Sequence, residues 1–162
     1  MVRAVLSDVT GFRGEKIVEL CLTDYTAFES PLFQPAFLGE KWPTTDFLVE
    51  LAGVPRKKPF FFCQVKSTTS NALGAKGGVK IACSKRDVLQ LLQLPGPTYV
   101  FGVHEPSRRV FVRSIHQGVV AGAITRIDSR NELTAANLRL LYNEVRDYWA
   151  AVAHKPVNSV FS

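Results

Sequence analysis

Gln64 and Lys66 stand two residues apart in the stretch "FFFCQVKST", Phe60–Thr68. An extended chain therefore carries both on one face. An amide and an ammonium at the end of so apolar a strand have no use in a simple core. Upstream, "DFLVEL" alternates, with Phe47, Val49 and Leu51 on one side and Asp46, Leu48 and Glu50 on the other. The "AGVPRKK" between them contains the Gly and Pro of a turn. Folding the two strands back about Pro55 sets Asp46 opposite Gln64. Opposed Cβ atoms lie roughly 5 Å apart and diagonal neighbours about 7–8 Å apart, within a lysine's reach. Asp46, Gln64 and Lys66 then converge at one end of one sheet face, provided the register does not slip.

A carboxylate, a neutral oxygen and an ammonium in one cleft suit metal-assisted phosphoryl chemistry. Mg²⁺ takes a few hard oxygen ligands and keeps several waters. Asp46 offers a carboxylate, Gln64 its amide oxygen and Val65 its backbone carbonyl. A cation held there polarises a phosphoryl oxygen and activates water. Lys66 would orient that water or stabilise charge building on the phosphate. Glu15, on the border of the apolar arc of the first helix, can reach the same cleft and complete the metal shell; Glu19 lies further toward water. Each residue also has a plainer reading. Asp46 fits a strand-entry turn, Lys66 a solvated strand end, Gln64 a hydrogen-bonded amide, and Glu15 a charge favoured in a first helical turn by the dipole.

The elements that must hold these groups follow from periodicity. Thr10 reads as an N-cap for a helix from about Phe12 to Asp24. Phe28–Phe37, with two prolines, reads as an irregular edge strand. Ser67–Gly78 is a polar loop and Val79–Cys83 a short strand. Ser84-Lys-Arg-Asp87 is a capping box opening a helix over Lys85–Gln93. Thr98–Val103 and Arg109–Ile115 form a hairpin around "HEPSR". Leu138, Leu141, Tyr142, Val145, Trp149 and Val152 keep helical spacing, giving an amphipathic C-terminal helix from about Thr134 to Ala153. Tyr148 and Trp149 on it suit core or dimer packing. The order of helices and strands around one sheet is α/β or α+β.

With 162 residues, 46% hydrophobic, the chain suits one domain. No apolar run reaches the roughly 18 residues that span a bilayer, and the N-terminus lacks a secretory pattern. Cys21, Cys63 and Cys83 show no C-x-x-C spacing, which suits reduced thiols in a cytoplasmic protein. The net charge of +6 is unevenly spread. Residues 1–55 hold four basic and eight acidic side chains, whereas Arg56–Arg86 holds eight basic and no acidic ones. A segregated basic stretch suits a polyanion, with Lys57, Lys58, Lys76, Lys80, Lys85 and Arg86 as candidate nucleic-acid contacts; a solvated lysine-rich loop is the plainer account. "GAKGG" at 74–78 does not match a P-loop, and His104-Glu105 is not H-E-x-x-H.

Gly14-Glu15, Asp46–Leu51 and Gln64-Val-Lys-Ser67 together resemble the PD-(D/E)xK, or restriction-endonuclease-like, nuclease superfamily. They look closest to its small bacterial domains of unknown function with a Q-x-K third motif. The likeness covers about residues 10–116, with a helical extension over about 132–155, in a single domain 1–162. It implies a central mixed β-sheet flanked by helices and Mg²⁺- or Mn²⁺-dependent cleavage of phosphodiester bonds, usually in DNA. It also implies Lys66, Asp46, Gln64 and Glu15 as the catalytic set, with Asp46, Gln64, the Val65 carbonyl and Glu15 at the metal. A homodimer or a larger complex would supply two cuts or specificity. Thr45 stands where many members have proline, and Gln64 where they have an acid. Losing that charge weakens metal binding. A catalytically inactive module that binds nucleic acid or a partner is the alternative.

Overall fold

Phe33–Phe37 (β1), Phe47–Leu51 (β2) and Phe60–Thr68 (β3) form an antiparallel meander in the computed structural model, which describes residues 2–39, 42, 44–55, 58–116, 122–152 and 159. Thr98–His104 (β5) then joins β3 in parallel, and Arg109–Ser114 (β6) closes the sheet antiparallel to β5. The central sheet is therefore mixed and five-stranded, in the order β1-β2-β3-β5-β6. β1 is an edge, where Pro35 costs no ladder bond. Between β3 and β5 the chain makes Val79–Cys83 (β4) and the helix Lys85–Leu91 (α2). After β6, Ile124–Ile127 (β7) pairs with β4 as a separate two-stranded ribbon.

Three helices flank the sheet. Val2–Leu22 (α1) and Ala135–Ala151 (α3) cover one face. There Val18, Leu22, Leu138, Leu141 and Val145 pack on Phe47, Phe61, Cys63, Tyr99 and Phe101. α2 and the ribbon cover the other, where Val88 and Leu91 join Val79, Ile81 and Ile127 over Val100 and Phe111. A Cβ on Gly102 would lie 2.7 Å from Val79 Cγ1, so only glycine lets the ribbon sit this close to β5.

The capping box of α2 forms as the sequence predicts: Ser84 Oγ accepts from the Asp87 backbone N–H, and the Asp87 carboxylate accepts from the Ser84 N–H. α3 begins behind the N-cap Thr134. Two expectations are corrected. Thr10 is no N-cap, because α1 begins at Val2 and runs through it to Leu22. β7 has no counterpart in the sequence reading, since "ITRI" buries only its two isoleucines, three residues apart. Its partner strand β4 lies far away in the chain.

Candidate functional site

The β2–β3 hairpin holds the register expected from the turn. Phe47 pairs with Cys63, Leu48 with Phe62, Val49 with Phe61 and Glu50 with Phe60. The pairing stops one residue short of Asp46, whose backbone N–H still donates to the Cys63 carbonyl, 2.9 Å. Thr45 anchors this entry: its buried Oγ1 donates to the Cys63 carbonyl, 2.8 Å. The Asp46 carboxylate takes the next place in the ladder itself, since its Oδ2 accepts from the Val65 N–H at 2.6 Å. Asp46 is thus fixed at the C-terminal end of β3 by backbone bonds on both sides.

Glu15, on α1, lies near enough to Asp46 for their charges to interact. With the helix starting at Val2, Glu15 sits well inside it, and the first-turn dipole no longer accounts for a charge there. Its neighbour Gly14 sets the approach, since a Cβ there would fall 1.6 Å from Ser67 Oγ. The helix passes directly over the end of β3 because that residue has no side chain. Burial raises the Glu15 carboxyl above its ordinary range and the Asp46 charge raises it further. Burial likewise raises Asp46, against the lowering effects of the Val65 N–H and the Lys66 ammonium. The Asp46 charge thus disfavours ionisation of the part-buried Glu15.

Gln64 and Lys66 share the sheet face toward α2 and β4. Gln64 is 7% exposed, and its Oε1 accepts from the Cys83 thiol at 3.9 Å. The Lys66 ammonium lies 3.2 Å from Asp87 Oδ2. Burial alone would raise the Asp87 carboxyl, but the Ser84 N–H and the Lys66 ammonium outweigh it and hold it below its usual range. The structure therefore gathers Asp46, Glu15 and Lys66 around the end of β3, while Gln64 lies buried beneath β4.

The basic residues divide. Lys85 and Arg86 are exposed at the start of α2, beside Asp87. Lys76 stands in the turn before β4, and Lys80 on β4 points outward. Lys58 lies 3.5 Å from Glu50 at the turn end of the hairpin, about 26 Å along β3 from Lys66 at 3.3 Å per residue. Lys57 lies outside the described residues. His104 is buried and bonded to Ser107 Oγ and the Ser70 carbonyl, and Glu105 pairs with Arg13 at 2.8 Å; both tie loops to the sheet.

Asp87 and Arg126 escaped the sequence reading. Asp87 is visible there as a cap, and only the crossover from β3 to β5 turns that cap toward Lys66. Arg126 belongs to the unforeseen β7.

Two carboxyl groups and backbone oxygens are the hard donors available at this end of β3. Asp46 Oδ2 is engaged by Val65, which leaves Oδ1 for a ligand, and Glu15 adds a second carboxylate. Among the described residues no three His, Cys, Asp or Glu side chains gather as a metal-binding group, so the shell would need neutral oxygens and water besides. The three cysteines are free. Among the described residues no helix is long and apolar enough to cross a membrane. No protein-family model, curated protein or solved structure matches the chain.

Proposed function

We propose that this chain is a metal-dependent nuclease of the restriction-endonuclease-like type, hydrolysing phosphodiester bonds in DNA. The observation that carries the reading is the meeting of Glu15 and Asp46, each with its carboxyl raised by burial, beside an ammonium. The mixed sheet with flanking helices supports it. Asp46 and Glu15 would hold Mg²⁺ or Mn²⁺, with the Val65 carbonyl as a neutral donor, while Gln64 is engaged by Cys83. Such an ion supplies Lewis-acid polarisation of the scissile phosphate and activation of water. Lys66 stabilises the negative charge that builds on the phosphoryl oxygens. The Val65 N–H holds the Asp46 carboxylate in place, so the ligand is pre-oriented before substrate arrives.

A second reading, an inactive nuclease-like module that binds nucleic acid, is favoured by one observation. Gln64, which replaces the more usual acid of the resembling superfamily, is buried against Cys83. Calorimetric titration with Mg²⁺ or Mn²⁺ and a DNA-cleavage assay separate the two. The first reading expects metal uptake that Asp46→Asn abolishes, and cleavage lost in folded Lys66→Ala and Asp46→Ala. Metal uptake without cleavage selects the second. No uptake at all removes the metal site.

A further inference from the structure

We propose that the outer face of the β4–β7 ribbon binds the phosphate backbone of a double-stranded nucleic acid, with Lys80, Arg126 and Lys76 as its contacts. The proposal rests on and deepens the nucleic-acid-binding reading above, naming the surface and the duplex form, and it needs neither a metal nor an active site.

Both strands of the ribbon turn one side inward. Val79, Ile81, Cys83, Ile124 and Ile127 pack on the central sheet, and Lys80, Ala82, Thr125 and Arg126 face out. Lys80 and Arg126 are direct cross-strand partners. Two cations therefore stand side by side on the outward face of the ribbon. The turn before β4 concentrates the charge. It closes through Gly74 N–H to the Gly78 carbonyl at 2.8 Å and Gly77 N–H to the Gly74 carbonyl at 2.9 Å. Lys76 and Gly77 both take positive φ, 70° and 74°, which lifts Lys76 onto the tip. Gly78 is required twice over. A Cβ there would strike the Ile127 carbonyl at 2.5 Å and the Arg126 Nε at 3.1 Å. The Arg126 side chain therefore lies across the glycine turn, against Gly74 and Gly78. Lys76 and Lys80 have no carboxylate within ion-pair reach among the described residues. Asp128 senses the Arg126 charge, and Arg130 beside it offsets that carboxylate.

The class of ligand follows from what faces outward. Binding to single strands relies on aromatic platforms for the bases. The outward residues of the ribbon include no aromatic ring, only cations, an alanine and a threonine. Such a surface reads phosphates without reading sequence. A duplex presents phosphates at the regular spacing a stiff ribbon can match.

The test is fluorescence anisotropy of labelled DNA and RNA duplexes and the matching single strands, in EDTA, over a range of salt. The parent is expected to bind duplex with strong salt dependence. Lys80→Ala/Arg126→Ala should flatten the log–log salt slope by about two, one per phosphate contact removed. Thr125→Lys should tighten binding, a gain that a damaged fold cannot mimic. Absence of duplex binding by the parent, an unaltered slope in the double variant, or a preference for single strands would each overturn the proposal.

Discussion

The two faces of the central sheet are built on different principles. Beneath α1 and α3 the packing is aromatic, with Phe61 touching Phe33 and Tyr99 edge-on at ring-centroid distances of 5.8 and 5.2 Å and Phe101 at 6.1 Å. Beneath the ribbon the side chains are mainly aliphatic, around the single ring of Phe111 among the buried residues there, and Gly102 brings two layers together by the absence of a side chain. The candidate site straddles these faces at the end of β3. Glu15 comes from α1, Lys66 belongs with Asp87 on the α2 side, and Asp46 interacts with both. A large-volume core thus supports the acids, and a close-fitting layer supports the base.

The sharpest way to separate the two faces is to reverse their packing logic. Phe61→Ala opens the aromatic side and should cost about 3–5 kcal/mol of unfolding free energy. Gly102→Ala crowds the ribbon side and should cost about 1–3 kcal/mol, with a smaller effect on metal uptake at Asp46. Urea denaturation with calorimetry compares them, and equal loss of metal binding in both would mean that the faces are not independent.

Gly14→Ala breaks the junction between the two halves of the site. The added methyl overlaps Ser67 Oγ and should push α1, with Glu15, off the end of β3, at about 1–3 kcal/mol. Ser67→Gly in the same chain should restore stability and metal affinity together. Failure of that rescue would show that Ser67 does not set the helix spacing.

The smallest expected effects have opposite signs. Asp46 has a raised carboxyl, so the native state holds that proton more tightly than the unfolded chain does. Its contribution is present below the ordinary carboxylate range and lost as pH rises through the raised value. Asp87 has a lowered carboxyl, so its contribution is present above the ordinary range and lost as pH falls through the lowered value. At neutral pH without metal, Asp46→Asn should raise Tm and Asp87→Asn should lower it. Both differences should fade in acid. Shifts of the same sign at neutral pH would break the distinction between the carboxylates on either side of Lys66.

The hairpin was legible in the sequence because alternation and turn length leave few registers open, and Asp46 falls where that register sends it. The position of Glu15 was legible, but its reason was not. With Thr10 taken as a cap, the helix dipole accounts for a glutamate that in fact lies well along α1. Gly11 and Gly14 hide the true start of that helix, since both weaken a helical pattern. The need for Gly14 becomes visible only when Ser67 is beneath it. Gln64 and Lys66 shared a face as expected. Which layer covers that face depends on the crossover through β4 and α2, and no local pattern encodes it. β7 is the extreme case: four residues become a strand only because β4 is waiting for them.

The last helix takes on a further meaning through two of its bonds. Tyr142 Oη donates to the Ala52 carbonyl at 2.8 Å and Trp149 Nε1 donates to the Phe60 carbonyl at 2.7 Å. Those carbonyls flank the reversal between β2 and β3, so α3 grips the hairpin at the end opposite Asp46. Sliding one strand past the other by a single residue would require both grips to let go. A helix with no group near the acids thereby keeps them in alignment, and a chain lacking it would retain every letter of the motif while losing the geometry that the letters describe.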